Sequence, residues 1–305
     1  MIFGLTTELT RGALVTFLEK IRQRVATGGR SVRIDFRQTR LMTPAGTLLF
    51  AAELDRINVL LGTKPVRCGF YPRDHVVAQV LKHVGIFEML GLRGGPTHIT
   101  AETVKYWKVD SGDMADGRRA DDAMAGYKDR FTDPEQKALY RGLTEAMTNC
   151  RHHAYVEQRG DGLDHVKRWW MFSQLHRESL FVAICDLGMG IPRSLKSDRA
   201  GLLAAVMSAL QMLGLRESDG NLIRAAMEVG RTRTKQEERG KGLMDMRSVL
   251  DALGGRMQIH SDGGFFEFVA ESGAKKASET CKDLISIRGT LVLWEVPVPS
   301  RPKAS

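Results

Sequence analysis

The sequence predicts an α/β protein in two parts, a smaller α/β unit followed by a larger one, and three observations carry that expectation. In the first hundred residues, stretches with apolar side chains at helical spacing alternate with short β-branched or aromatic runs. Further on, two β-rich runs, 167–176 and 179–185, are separated only by Arg177-Glu178, as in an antiparallel hairpin. The second run ends in Asp186-Leu187-Gly188-Met189-Gly190-Ile191-Pro192, a carboxylate at a strand end followed by two glycines one residue apart.

The first unit reads α-β-α-β-α. Residues 10–25 place Leu14, Phe17, Leu18, Ile21 and Val25 on one helical face, and Gly28-Gly29 stops the helix. Residues 31–36 alternate Val32, Ile34 and Phe36 with polar neighbours, as a half-buried strand does. Pro44-Ala45-Gly46 opens a second helix over 47–61, carrying Leu48, Leu49, Ala52, Leu54, Ile57 and Leu61. A strand at 66–70, a Tyr71-Pro72 turn and a helix at 75–83 follow. Thr103 to Val109 has strand character. The stretch SGDMADGRRADD at 111–122 has no apolar period and reads as a loop. Residues 1–100 are therefore expected to form one domain, 101–129 a connecting segment and 130–305 the second domain.

Bulk properties narrow the function classes. A chain of 305 residues has room for a substantial core, and 43% hydrophobic with 27% charged residues is ordinary for a globular protein. No apolar stretch approaches the ~18–20 residues of a membrane span. Met1-Ile2-Phe3-Gly4-Leu5 does not open a secretory signal, so a cytoplasmic location without membrane partners is expected. The four cysteines (Cys68, Cys150, Cys185, Cys281) are far apart, with no CxxC pair, which argues against a zinc site and a disulfide framework. The net charge of +9 is spread among acids without a basic-aromatic stripe, so nucleic acid is not the expected partner. Basic groups around a bound polyphosphate account for the charge equally well.

The second part holds the candidate chemistry. Asp133-Pro134-Glu135 begins a helix, with Asp133 as the expected cap, and the helix runs on through LYRGLTEAMTNCRHHAY. Glu145 and Asn149 are four residues apart and share a face. Such a pair suits a site with Mg²⁺ and water, Asn as an oxygen ligand and Glu as a base, and equally suits the outer face of an amphipathic helix. His152 and His153 fit a helix C-terminus, whose partial negative charge favours His⁺, better than a metal site. Asp186 can accept from an amino group on a flat ligand, and the glycines beside it admit close backbone approach; the same DxGxG pattern also occurs as a plain turn. The run 200–213 is apolar and helical, whereas EVGRTRTKQEER at 228–239 is polar and cationic. Arg231, Arg233, Lys235, Arg239 and Lys241 are phosphate-contact candidates or a solvated loop. Residues 243–253 form a helix stopped by Gly254-Gly255, strands follow at 256–260 and 265–269, and 271–282 reads as a polar insertion before the last strand, TLVLWEV.

In order, ExxxNxxxHAY, a hairpin, DLGMGIP, a long variable segment, RGKGL and Gly289-Thr290 before a strand resemble the GHKL family. The resemblance covers 130–298 and is closest to the anti-sigma-factor serine kinases. It implies a Bergerat-fold α/β sandwich that binds ATP with Mg²⁺. Carried over residue by residue, Asn149 becomes the Mg²⁺ ligand and Glu145 the general base. Asp186 meets the adenine amino group, with Gly188, Gly190 and Ile191 beside the base. Arg239, Gly240, Lys241, Gly242 and Leu243 become the phosphate box, and Thr290 closes the site. The stretch IDFRQTRLMTPAGTLLFAAELDRI resembles STAS domains, which implies a protein-interaction module. The residue before Gly46 is Ala45, where that family carries a phosphorylatable serine, so this resemblance implies no phosphorylation switch there. Three functions stay open: slow ATP hydrolysis coupled to protein contacts, a serine/threonine kinase acting on a separate protein, and an ATP-binding switch without turnover. A homodimer is compatible with each.

Overall fold

The computed structural model describes residues 1–5, 7–27, 31–101, 104, 107–125, 128–197, 201–233, 242–270 and 277–298. The first part contains β1 (Ile2–Phe3), α1 (Glu8–Ala26), β2 (Val32–Asp35), β3 (Leu41–Met42), α2 (Pro44–Leu61), β4 (Val66–Phe70), α3 (His75–His83) and α4 (Ile86–Met89). Its strands form two small parallel pairs, β1 with β3 and β2 with β4. The predicted α-β-α-β-α order is present, with β1, β3 and α4 added. These additions are two to four residues long, too short for any period to register.

The second part contains β5 (Trp107–Gly112), α5 (Gly117–Met124), α6 (Asp133–Asn149), β6 (Trp169–His176), β7 (Ser179–Asp186), α7 (Ile191–Ser197), α8 (Leu202–Met212), α9 (Asp219–Arg233), α10 (Gly242–Leu253), β8 (Gly255–Ser261), β9 (Gly264–Ala270), β10 (Ala277–Asp283) and β11 (Thr290–Pro297). Seven strands make one fully antiparallel sheet in the order β10-β9-β8-β11-β7-β6-β5. The hairpin turn is Arg177-Glu178, as the sequence requires, with Arg177 in the left-handed region at φ 55°.

Three sequence expectations need correction. The stretch 111–122 is not a loop: Ser111 and Gly112 end β5, which pairs with β6, and α5 begins at Gly117. Asp116 caps α5, its side chain accepting from the Arg118 amide, and only Ala120, Ala123 and Met124 are buried. So short an apolar face escapes a period search. Within 271–282, residues from Ala277 onward form β10, an edge strand whose polar side chains suit its half-solvated position; 271–276 lie outside the described residues. The cap of α6 is Thr132 rather than Asp133. Glu135 reaches back to the Thr132 amide at 2.7 Å and takes its hydroxyl at 2.8 Å, which leaves Asp133 in the first turn.

Both faces of the sheet are covered. On one, Trp169, Met171, Val182, Ile184, Val292 and Trp294 pack with Leu143, Met147 and Val249 of α6 and α10. On the other, Trp170, Phe172, Ala183, Cys185 and Leu291 share a core with Leu14, Leu18, Leu49, Phe50 and Ile57 of the first part. α2 is apolar almost all round, from Ala45 through Ala52, so it has no solvent face to spare there and is buried against β6, β7 and β11 of the large sheet and against α1 and α4. Truncating a fully buried side chain such as Phe50 is expected to cost ~3–5 kcal/mol. A third small core, Leu195, Val206, Leu210, Leu222 and Ala226, joins α7, α8 and α9.

Buried ion pairs join the two parts. Glu53 of α2 meets Arg22 of α1 at 2.7 Å and Arg159 at 2.6 Å, while Asp161 takes Arg56 at 2.6 Å and Arg159 at 3.1 Å. Burial would raise the Glu53 carboxyl, but Arg159 and Arg22 outweigh it and hold it below the usual range. The Asp161 carboxyl is likewise held down, to about 2. Removing one partner from such a cluster strands a buried charge, at ~3–5 kcal/mol. No helix among the described residues is long and apolar enough to cross a membrane.

Candidate functional site

The site lies at one end of the large sheet, where β7 ends, β11 begins and β8 ends. α6 does not stop at Asn149 but continues through a π-turn, Cys150–Ala154. Such turns re-aim side chains and recur at functional sites. Here the turn carries Cys150 to Asp186, its thiol 3.7 Å from Oδ2, and lets the Ala154 carbonyl accept the Met189 amide at 2.8 Å.

Asp186 ends β7 and is almost fully buried. Its Oδ1 accepts the backbone amides of Gly188 at 2.9 Å and Thr290 at 3.3 Å. Among the described residues its Oδ2 faces only the Cys150 thiol, a weak donor, and so keeps acceptor capacity. Burial raises the carboxyl to about 6, against the two amides and the thiol, which pull it down. The Cys150 thiol is pushed well above its usual range by burial and by Asp186, so it stays protonated and can only donate to the carboxylate.

The glycines are spaced for close approach. A Cβ on Gly188 would collide with the Ala154 carbonyl, and one on Gly190 would sit 3.1 Å from the Asp262 Cβ in a left-handed backbone at φ 82°. Ile191 donates its amide to Ser261 Oγ at 2.7 Å, and Ser261 Oγ pairs with Thr290 Oγ1 at 2.8 Å. Tyr155 accepts the Leu187 amide at 3.2 Å and donates to the Arg168 carbonyl.

Glu145 and Asn149 sit half-buried on the last turns of α6, facing the start of α10. A Cβ built on Gly242 would strike Glu145 Oε1 and lie 2.9 Å from Asn149 Nδ2, so these three residues touch only because position 242 has no side chain. The Glu145 carboxyl is raised by burial and by Asp245, and partly lowered by His152. Leu243 follows in the first turn of α10.

The structure thus brings together Glu145, Asn149, Gly242 and Leu243, and separately Asp186, Gly188, Gly190, Ile191 and Thr290; Cys150, next to Asn149, joins the two groups. Arg239, Gly240 and Lys241 lie outside the described residues, as does Lys235; Arg231 and Arg233 fall in α9, whose last side chains are not described. His152 and His153 are exposed on the π-turn, their rings edge to face at 6.2 Å.

Sequence reasoning gave Tyr155, Ser261 and Cys150 no role in this network. Tyr155 is the last residue of ExxxNxxxHAY, Ser261 precedes the Asp262-Gly263-Gly264 turn, and Cys150 reads as one more buried residue of an amphipathic helix. Among the described residues no three His, Cys, Asp or Glu side chains cluster as a metal cage. The donor set therefore fits a hard cation only where a ligand's own oxygens complete the shell around Asn149, the usual manner for Mg²⁺. No protein-family model matches the chain, and no curated protein matches it.

Proposed function

We propose that this is an ATP-binding regulatory protein of the GHKL class, a Bergerat-type sandwich preceded by a STAS-like unit. It would hydrolyse ATP slowly and use its nucleotide state to control contacts with a protein partner. The observation that carries this reading is the pairing of two unlike sites 36 positions apart in sequence, Cys150 with Asp186. That contact sets a carboxylate with one open oxygen next to the helix that presents Glu145 and Asn149.

Asp186 would accept the adenine amino group through Oδ2, since Oδ1 is already taken by two backbone amides. Gly188 and Gly190 would line the ring's pocket indirectly, by letting the chain pack tightly on Ala154 and Asp262 beside Asp186, and Thr290 would close the opposite side. Asn149 would hold Mg²⁺ through its carboxamide oxygen, which would bring countercharge to the phosphates. The amides that open α10 at Gly242 and Leu243 favour an anion, as helix N-termini do. Arg239 and Lys241 are candidates for further countercharge. Glu145, made more basic by burial and Asp245, would take a proton from the water whose oxygen bonds to the γ-phosphorus as the bond to the departing ADP breaks.

The test is turnover. Wild type should release phosphate from Mg·ATP slowly, and Glu145→Gln should lower the rate by ~10²–10⁴-fold with ATP affinity kept, the usual worth of a positioned base. An unchanged rate in Glu145→Gln would remove the base assignment. ATP consumption that labels a second protein instead of releasing phosphate would favour the kinase, since one base serves a water and a protein hydroxyl alike.

A further inference from the structure

The loop between β10 and β11 forms one wall of the site. Thr290 gives its amide to Asp186, and the Gly289 carbonyl accepts the Asp262 amide at 3.0 Å. Asp262 in turn takes the Ile287 amide on its carbonyl at 3.0 Å and the Ser286 hydroxyl on Oδ1. Asp262 also packs on Gly190, inside the DLGMGIP stretch. None of these bonds leaves the second part of the chain.

The first part nevertheless grips this loop. Arg11 of α1 is fully buried, and its guanidinium spans three groups: the Ile285 carbonyl at 2.8 Å, the Asp262 carbonyl at 2.8 Å and His260 Nδ1 at 3.2 Å. A second buried guanidinium, Arg159, donates to the Arg288 carbonyl at 2.6 Å and the Ile287 carbonyl at 3.2 Å, and is paired to Glu53 of α2 at 2.6 Å. Arg288 itself sits in the left-handed region at φ 52°, and its side chain reaches Glu19 of α1 at 3.5 Å. α1 through Arg11, and α2 through Glu53 and Arg159, thus hold the carbonyls of residues 285, 287 and 288, just ahead of the Gly289-Thr290 pair.

We propose that the first part of the chain clamps the base end of the nucleotide site, with Arg11 as the positioning residue that sets where Thr290 and Asp262 stand against Asp186 and Gly190. The clamp rests on the ATP reading for its consequence but not for its existence. A partner that shifts α1 would loosen the loop and release nucleotide, which gives a route from the first part to the site without contact between partner and ligand. Arg11 reaches the three acceptors from three separate nitrogens, whereas the three donors of a lysine radiate from one, so lysine is a poor substitute.

The experiment compares wild type, Arg11→Lys and the milder Ser286→Ala, which removes the Ser286 hydroxyl's bonds to Asp262 and the Arg288 amide and leaves the three Arg11 contacts in place. Backbone amide exchange is read without nucleotide, and Mg·ATP, Mg·GTP and tripolyphosphate affinities are read alongside. Exchange at Ile287 and Thr290 should accelerate in both variants. ATP affinity should fall roughly tenfold in Arg11→Lys, within the ~5–150-fold typical of coupled sites. Tripolyphosphate binding should stay the same and preference for ATP over GTP should shrink, which a general loss of fold would not produce. Folded variants with unchanged exchange at 285–290 would overturn the clamp. Faster exchange in the variants of a protein that binds no ATP would keep the clamp and overturn the nucleotide reading.

Discussion

The two ends of the candidate site are built by different means. The Asp186 end is assembled from backbone: the amides of Gly188, Thr290, Leu187 and Ile191 are all tied to fixed acceptors, in a buried corner between strand ends. The Glu145–Asn149 end is assembled from side chains on two facing helices, half-buried, meeting at a glycine. A preformed backbone corner is suited to reading the shape and hydrogen-bond pattern of a flat ring. Adjustable polar side chains near solvent are suited to a charged group that changes during a reaction. On the proposed reading, recognition would fall at one end and chemistry at the other.

Breaking the side-chain end should abolish metal dependence first. Asn149→Ala is expected to weaken Mg·ATP binding by at least about tenfold, down to the affinity that wild type shows in EDTA, because on the proposed reading the amide oxygen would be the protein's contribution to the Mg²⁺ shell. Calorimetric titration with and without EDTA checks this, and a variant that keeps its Mg²⁺ dependence would move the metal elsewhere.

The backbone end should respond to pH instead. Protonating Asp186 places the hydrogen on Oδ2, since Oδ1 already accepts two amides, and turns the open acceptor into a donor. ATP affinity should therefore hold above about pH 6 and fall below it, by about tenfold for each further unit. Adenosine, which lacks phosphates, should show the same midpoint if the effect belongs to this end. A flat profile from pH 7 to 5 would contradict it.

The smallest effect concerns Cys150. Its thiol helps keep the Asp186 carboxyl down, so Cys150→Ala should shift the binding midpoint upward by about half a unit or less. A downward shift would mean that the thiol is not a donor here.

The contrast between the two ends also explains what the sequence could reveal. Elements with a full apolar period, such as α1, α2 and the β6–β7 hairpin, are legible because burial on one face leaves a repeat. β5 was legible only over 107–109, and α5 and β10 were not, because they sit at the rim of the second part, where few side chains are buried. Glu145, Asn149, Asp186 and the glycines stand in recognisable spacings. The rest of the backbone corner is invisible to pattern, since Ser261, Asp262 and Tyr155 act through single bonds from distant segments. The docking of the first part was equally hidden: a buried arginine such as Arg11 reads in sequence as one more polar position of an amphipathic helix.

Asp186→Asn tests the central claim most directly. Its amide oxygen can still accept from Gly188 and Thr290, so the corner should fold. The native carboxyl titrates at about 6 against 3.8 when free, so its contribution to stability is complete below 3.8 and lost as pH rises through about 6. At neutral pH the neutral asparagine should therefore leave Tm unchanged or raised. Calorimetric titration of Mg·ATP into wild type and Asp186→Asn is predicted to show binding in the first and a loss of ~10–150-fold or more in the second, the worth of a charged hydrogen bond turned to a mismatch. Equal affinity in the two proteins, with Tm maintained, would contradict the assignment of this end to the base.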